Sequence, residues 1–434
     1  MKLDQQLFHS FDIRSLAALR MAFGLWLFID FSGMMIIGYV QEAYVDAQVH
    51  FPFYGFEWIT PLPAWGMYSL FSFLSLAALC VLIGYRTRLA LSIFLLGQIY
   101  VFMLDIPYTL NKFYLFILLA FAFIFLPADR HWSLSVKRNP DLKLEYSPRW
   151  NLFVFQFMLG LIYTYSGISK INPDWMQNGQ PLASFLPHKW PFKLLSDDIK
   201  PQLFVLLSYG GMCFDLTITW ILSWKRTRGL GHIVQATFHL FNFTFLGVGS
   251  LSIFMIIFTL ILFPPKWLRR YLFQAPATQE VAVVQPGVKP ALIAFALVML
   301  LLPHRHYLID NNVNWTEKGH RFSWRLMTRT KGGSASYFIV EDNQTNQAWG
   351  VNPREYLTPR QFRKMSAETD LVIVFAHWVE QEWAKKGFED VKVRGIINTR
   401  LNGRKAQPLI DPELDLTQVQ RSVWRDEISL PLER

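Results

Sequence analysis

Lys170 stands where an apolar run, Trp150 to Ser169, gives way to the polar turn Ile171-Asn172-Pro173-Asp174-Trp175. The run is about long enough to cross a bilayer, so the amine falls at a membrane edge. Reduced solvation there favours the neutral amine, the form that acts as a base. A lysine that only snorkels its charge to the interface is the plainer reading of the same position, and spacing alone leaves both open.

Other polar residues interrupt apolar runs, where each is expensive and therefore informative. Arg20 and Asp30 are ten residues apart, close to three helical turns, and share one face, where they either pair with other spans or serve chemistry. Asn111 and Lys112 begin a run at the same membrane edge as Lys170. His232, Gln235, His239 and Asn242 recur at helical spacing and form a polar stripe, suited equally to hydrogen bonds between helices and to holding a ligand. No further histidine or carboxylate joins them at ligand spacing, so no metal site is expected. Near the end of the chain, Arg325, Met327 and Arg329 alternate as they would on a strand, presenting cations either to an acidic peptide or to solvent. The sequence has no Gly-rich phosphate loop, no supportable Ser/His/Asp arrangement and no CxxC.

The elements that must position these residues are mostly membrane helices. With 434 residues, 52% hydrophobic, 16% aromatic and 17% charged, the chain is too apolar for an ordinary soluble protein. Apolar runs near 16–39, 64–84, 89–104, 113–127, 150–169, 202–223, 229–246, 250–263 and 290–303 predict a polytopic α-helical bundle of about nine spans. The stretch 229–265 reads as one long helix or as two broken at Gly247-Val248-Gly249-Ser250. Basic residues, among them Lys2, Arg14, Arg86, Arg88, Arg130, Arg149, Arg228 and Arg269, cluster in alternate loops, so the positive-inside rule puts the N-terminus in the cytoplasm and Lys170 on the far side. No cleavable signal peptide is visible, and Cys80 and Cys213 both fall in apolar runs, which argues against a disulfide framework.

After Pro303 the pattern changes to short segments such as 336–340 and 391–397 with Asn and Gly between them, plus an amphipathic helix near 359–386. The expected organisation is a transmembrane helical domain over 1–303 and a non-cytoplasmic, β-rich soluble domain over 304–434, joined through an irregular 274–290 linker. The tail carries 20 Lys+Arg against 17 Asp+Glu, a balance that argues against a nucleic-acid surface.

The words around these residues carry a resemblance. Gly167-Ile168-Ser169-Lys170-Ile171-Asn172-Pro173-Asp174-Trp175, Leu104-Asp105 with Asn111-Lys112-Phe113-Tyr114-Leu115, Phe238-His239-Leu240-Phe241-Asn242 with Gly247, and Ser323-Trp324-Arg325-Leu326-Met327 occur in the order found in the vitamin K-dependent gamma-carboxylases. Arg20-Met21-Ala22-Phe23-Gly24, Gly84-Tyr85-Arg86, Asn398-Thr399-Arg400 and Ile410-Asp411-Pro412 extend the similarity over nearly the whole chain. The resemblance implies an integral membrane enzyme that oxygenates reduced vitamin K, a phylloquinol or menaquinol, to its epoxide. O2 and CO2 are co-substrates, and the base so formed carboxylates glutamyl residues of a peptide or protein. It makes Lys170 the base that deprotonates the lipid quinol, with Asn111 beside it. Lys112 occupies the place of the family's histidine and is expected as a third catalytic residue, a second lysine near Lys170 whose like charge would lower the pKa of one of the two amines. His239, Asn242 and Trp175 are then expected to hold the cofactor, and Arg325 and Arg329 the peptide. A quinol epoxidase that does not carboxylate, and a non-enzymatic scaffold or transporter of the same fold, are the alternatives; the lysine at 112 favours the epoxidase over the full reaction, and retained Lys170 and Asn111 speak against the scaffold.

Overall fold

A computed structural model describes residues 7–272, 287–309 and 312–433. Lys2, Asn311 and most of the 274–290 linker lie outside the described residues. Helices occupy all nine apolar runs: α1 (Arg14–Ile36), α2 (Ala64–Ile83), α3 (Thr87–Leu104), α4 (Asn111–Ile124), α5 (Trp150–Ser169), α6 (Lys200–Ser223), α7 (Arg228–Phe245), α8 (Ser250–Leu262) and α9 (Val288–Leu301). Six of them, α1, α2, α3, α5, α6 and α9 with its short continuation to Leu308, are long and apolar enough to cross a bilayer. α4 and α8 are shorter apolar helices, and α7 interrupts its apolar surface with the His232, Gln235, His239, Asn242 stripe. The break between α7 and α8 falls at the glycine turn, where Gly247 and Gly249 take φ of 67° and 72°, a region that costs most other residues strain.

Aromatic packing closes the bundle. Phe23 of α1 stacks on Phe123 of α4 at 5.4 Å, and Phe31 meets Phe94 of α3 edge-on at 5.0 Å. Such pairs contribute roughly 0.5–1.5 kcal/mol each beyond burial. Arg20 is fully buried and spends its guanidinium on main-chain oxygens of Val81, Leu82, Ala128 and Trp132, which ties α1 to the ends of α2 and α4. Asp30 pairs with Lys112 of α4 at 2.6 Å and accepts a bond from Ser250 at the start of α8. Arg20 is therefore satisfied by main-chain oxygens and Asp30 by a lysine, each across helices.

A two-stranded antiparallel pair, β1 (Ser10–Asp12) with β2 (Tyr146–Pro148), lies at the N-terminal end of the bundle. The C-terminal part is a four-stranded antiparallel sheet ordered β4-β3-β5-β6, from β3 (Lys331–Asp342), β4 (Ala348–Val351), β5 (Val391–Leu401) and β6 (Gln407–Pro408). β5 buries alternate residues, Val391, Val393, Ile397 and Leu401 among them, against helix α11 (Thr369–Ala384). The long helix expected near 359–386 is two helices, α10 (Pro359–Met365) and α11. The chain turns extended at Glu368, whose buried carboxylate takes a two-pronged bond from Arg321 at 2.7 and 2.8 Å. The expected strand through Arg325, Met327 and Arg329 is also absent: the segment is a loop in which Phe322, Trp324 and Met327 take φ of 66°, 54° and 54°.

The sheet does not hang free of the bundle. Val49, Phe51 and Ile106, from loops at the Lys170 end of the helices, are buried in its core with Trp315, Phe362 and Val372. Gln361 donates to Val49 O and to Asp105 Oδ2, both at 2.7 Å, and Arg360 donates to Pro107 O at 2.8 Å.

Candidate functional site

Lys170 ends α5, and its position depends on how closely α6 approaches. A Cβ on Gly167 would come within 2.7 Å of the Leu216 side chain and 3.1 Å of its main-chain nitrogen, so glycine is what lets the two helices meet here. That approach brings Asp215, the only acidic residue in the 202–223 run, to Lys170. Lys170 Nζ donates to Asp215 Oδ2 at 2.6 Å and to Ser166 Oγ at 2.7 Å, and Ser166 donates to the same carboxylate oxygen at 2.7 Å. Both side chains of the ion pair are about 4% exposed. A third bond runs from Nζ to Leu326 O at 3.1 Å, and the ammonium lies 5.1 Å from the centre of the Trp175 ring. Trp175 is fixed in turn by its indole N–H, which donates to Ser208 O at 2.6 Å.

This cluster forms the polar end of a cavity of about 630 Å³ between α5, α6, α7 and α8. The rest of the wall is aliphatic and aromatic, including Leu206, Ile233 and the stacked rings of Phe214 and Phe238, whose centres are 3.7 Å apart. Trp324, Leu326 and Met327 close it from the sheet side. Such volume and such a small set of convergent polar groups match a site for a large apolar ligand with a polar head.

Five of the residues singled out by sequence meet on this wall: Lys170, Asn111, Trp175, His239 and Asn242. Asn111 retains accessible surface there, and His239 Nε2 shares a 2.7 Å hydrogen bond with the Tyr163 hydroxyl. The polar stripe of α7 divides: His232 bonds Phe263 O and Gln235 bonds Met255 O and Thr259, both toward α8, while His239 and Asn242 reach the cavity. Lys112 is not among the described lining residues; its ammonium is held by both oxygens of Asp30, at 2.6 and 2.8 Å. Arg325 and Arg329 are off this wall as well. Arg329 pairs with the buried Glu317 and donates to His320, whereas Arg325 donates to Asn314 Oδ1 at 3.0 Å and lines a separate small opening. Among the described residues no group of three His, Cys, Asp or Glu is arranged to hold a metal ion.

Reading the sequence by words missed Asp215, although a single carboxylate inside a spanning run was a visible signal. Asp174, which belongs to the Lys170 word but was given no role by it, accepts a two-pronged bond from Arg404 at 2.7 Å and a further one from Asn402 at 2.8 Å, which clamps the turn after Lys170 to the hairpin following β5. Burial raises this carboxyl, but Arg404 and Asn402 outweigh it and hold it below the usual carboxylate range.

Residues 8–267 match the family model of the HTTM domain, and residues 285–433 match that of the vitamin K-dependent gamma-carboxylase lumenal domain. The chain belongs to the vitamin K-dependent gamma-carboxylase family. It is thus a gamma-carboxylase-like integral membrane protein with a lumenal C-terminal domain, and the family implies reduced vitamin K as cofactor. No solved structure matches the chain.

Proposed function

We propose that this member of the family oxygenates a naphthohydroquinone held in the 630 Å³ cavity, with Lys170 as the base that deprotonates it. One observation carries the reading: an amine with a carboxylate partner lines a large, mostly apolar cavity inside a membrane protein. The wall fits a flat bicyclic head and an aliphatic tail, with Trp175, His239, Asn242 and Asn111 as the groups that would hold the head and its oxygens. When bound, the hydroquinone supplies with O2 the strong base that a glutamyl γ-carbon requires, is released as its epoxide, and so allows CO2 to be added to a glutamate-containing peptide.

The protein's own contribution is to place a proton and exclude water. Lys170 Nζ donates to Asp215 Oδ2 at 2.6 Å, a contact along which a proton can pass, so the amine acts as base when that proton resides on the carboxylate. After accepting a proton from the ligand, the ammonium is again paired by Asp215, with Ser166 and Leu326 O fixing its direction. A dry wall keeps a strong base from being quenched and strengthens each of these interactions. Asp215 is a positioning residue in this scheme.

Oxygenation without carboxylation is a second reading, favoured by Lys112, which replaces the family's histidine and is committed to Asp30. We further take all nine helices to span the membrane, with the N-terminus cytoplasmic, a reading supported by Arg14, Arg86 and Arg149, which occupy the helix ends opposite Lys170. Purified protein supplied with a reduced naphthoquinone should yield quinone epoxide, and with a glutamyl peptide and labelled bicarbonate should yield labelled peptide. Epoxide without label selects the second reading, and absence of both products overturns the assignment.

A further inference from the structure

A smaller opening of about 130 Å³ lies across the loop that closes the cavity. Its wall is contributed by Tyr165 and Ser169 of α5, by His304, His306 and Tyr307 beyond α9, and by Arg325. No Asp or Glu is among the described lining residues. Arg325 has one bond, to Asn314, and its Nε is buried without a hydrogen-bond partner among the described residues. His306 Nε2 is in the same condition, since its Nδ1 faces Pro303 O at 2.8 Å. A part-buried guanidinium with no acidic neighbour is unfavourable: burial, and next the charge of Arg329, push Arg325 down to about 10. An anion in the opening would relieve this.

The surroundings decide which anion. Ile168 and Ile171 line the opening while remaining 43% and 57% exposed, and Leu301 and Leu308 are exposed close by in the chain from Pro303. The opening is therefore at the membrane edge with apolar flanks, where acyl chains fit and a free aqueous ion gains nothing. With no carboxylate among the described lining residues, a choline or ethanolamine ammonium has no acidic partner among them. We propose that the opening binds the phosphate of a net-anionic phospholipid, with Arg325 as its principal donor and His306, whose Nδ1–H is taken by Pro303 O, donating through Nε2 as the imidazolium that the phosphate charge stabilises. Within one loop, Ser323 and Arg325 face this lipid site while Trp324, Leu326 and Met327 face the large cavity, and Leu326 O accepts from Lys170. The lipid thus braces the wall that holds the amine. Binding itself does not depend on the proposed oxygenase reaction.

The test is native mass spectrometry of the full chain released from lipid nanodiscs of mixed phosphatidylcholine and phosphatidylglycerol. Wild type should retain phosphatidylglycerol selectively, and Arg325→Gln and His306→Gln should each reduce that retention about tenfold. Melting in pure phosphatidylcholine discs checks that each variant is folded; two separate substitutions keep the test decisive if one is not. Equal retention of both lipids, or unchanged retention in the folded variants, would overturn the proposal. So would thermal protection by inorganic phosphate that equals protection by phosphatidylglycerol, which would assign a soluble anion. Displacement of the lipid by a glutamyl peptide would instead give the opening to the peptide.

Discussion

Two lysine–aspartate pairs sit at the same end of the bundle, and they have nearly the same geometry. Lys170 meets Asp215 at 2.6 Å and Lys112 meets Asp30 at 2.6 Å. The surroundings differ. The first pair lies at a large cavity, beside an aromatic ring and a backbone carbonyl acceptor; the second is sandwiched between α1, α4 and the start of α8, where Ser250 adds a bond to Asp30. A buried ion pair alone is weak evidence of function, since the same pair fastens helices elsewhere. Adjacent empty volume is what separates a chemical role from a fastening one.

The comparison is most exposed at Lys170. Lys170→Met should lower quinone epoxide formation by about 10²–10⁴-fold, the usual range for a lost acid–base group. Because this leaves Asp215 buried without a cation, Lys170→Met/Asp215→Asn is the control that keeps the fold, and wild-type epoxide formation in either would end the assignment. Asp215→Asn alone should cost less, about 10–100-fold. It should also shift the pH–rate profile, since the charge paired with the reacting amine is removed. A rate loss with an unshifted profile would make Asp215 merely structural.

At the other pair the effect should appear in stability. Lys112→Met leaves Asp30 uncompensated and should destabilise by about 3–5 kcal/mol in thermal melts, with most of it recovered in Lys112→Met/Asp30→Leu. The double variant should epoxidise within about threefold of wild type. A large loss of turnover in that folded double variant would erase the distinction between the pairs.

Asp105 offers a third buried carboxylate without a lysine. His50 stands 3.5 Å away and Gln361 bonds it across to the sheet domain, yet burial outweighs both and raises the carboxyl to about 6. A carboxyl whose folded pKa exceeds its unfolded value binds its proton more tightly when folded, so stability falls as pH rises from about 4 through about 6. The loss should be of order 1–3 kcal/mol, read as melting temperature against pH, and absent in Asp105→Asn. Asp174 has the opposite sign. Its lowered pKa contributes stability above the ordinary carboxylate value that is lost on further acidification, a smaller effect that Arg404→Gln should remove.

Much of this was legible in the sequence because membrane helices announce themselves by continuous apolarity. All nine helices lie where the runs predicted them, and the glycine pair at 247 and 249 marks their one ambiguous break. Lys170, Asn111, His239, Asn242 and Trp175 were legible as words, and they converge on one cavity. What was hidden depends on tertiary approach. Asp215 acquires meaning only when Gly167 lets α6 come close, and the helix pattern breaks at Glu368, whose carboxylate is held by Arg321 from a distant loop. The loop at 322–327 was unreadable for another reason. Its left-handed residues are Phe, Trp and Met, which ordinarily avoid that region, so the alternation of Arg325, Met327 and Arg329 imitates a strand.

Val49, Phe51 and Ile106 leave the helical bundle to complete the interior of the sheet domain, so the two stretches that match separate family models do not make separate folding units. Exchanging the C-terminal part alone would therefore separate it from the side chains that complete its core. A chimaera that takes its sheet from another family member inherits a hole or a clash at these three positions unless the donor's own loops travel with it. Drift in the two halves is coupled through side chains that lie more than two hundred residues from the core they fill.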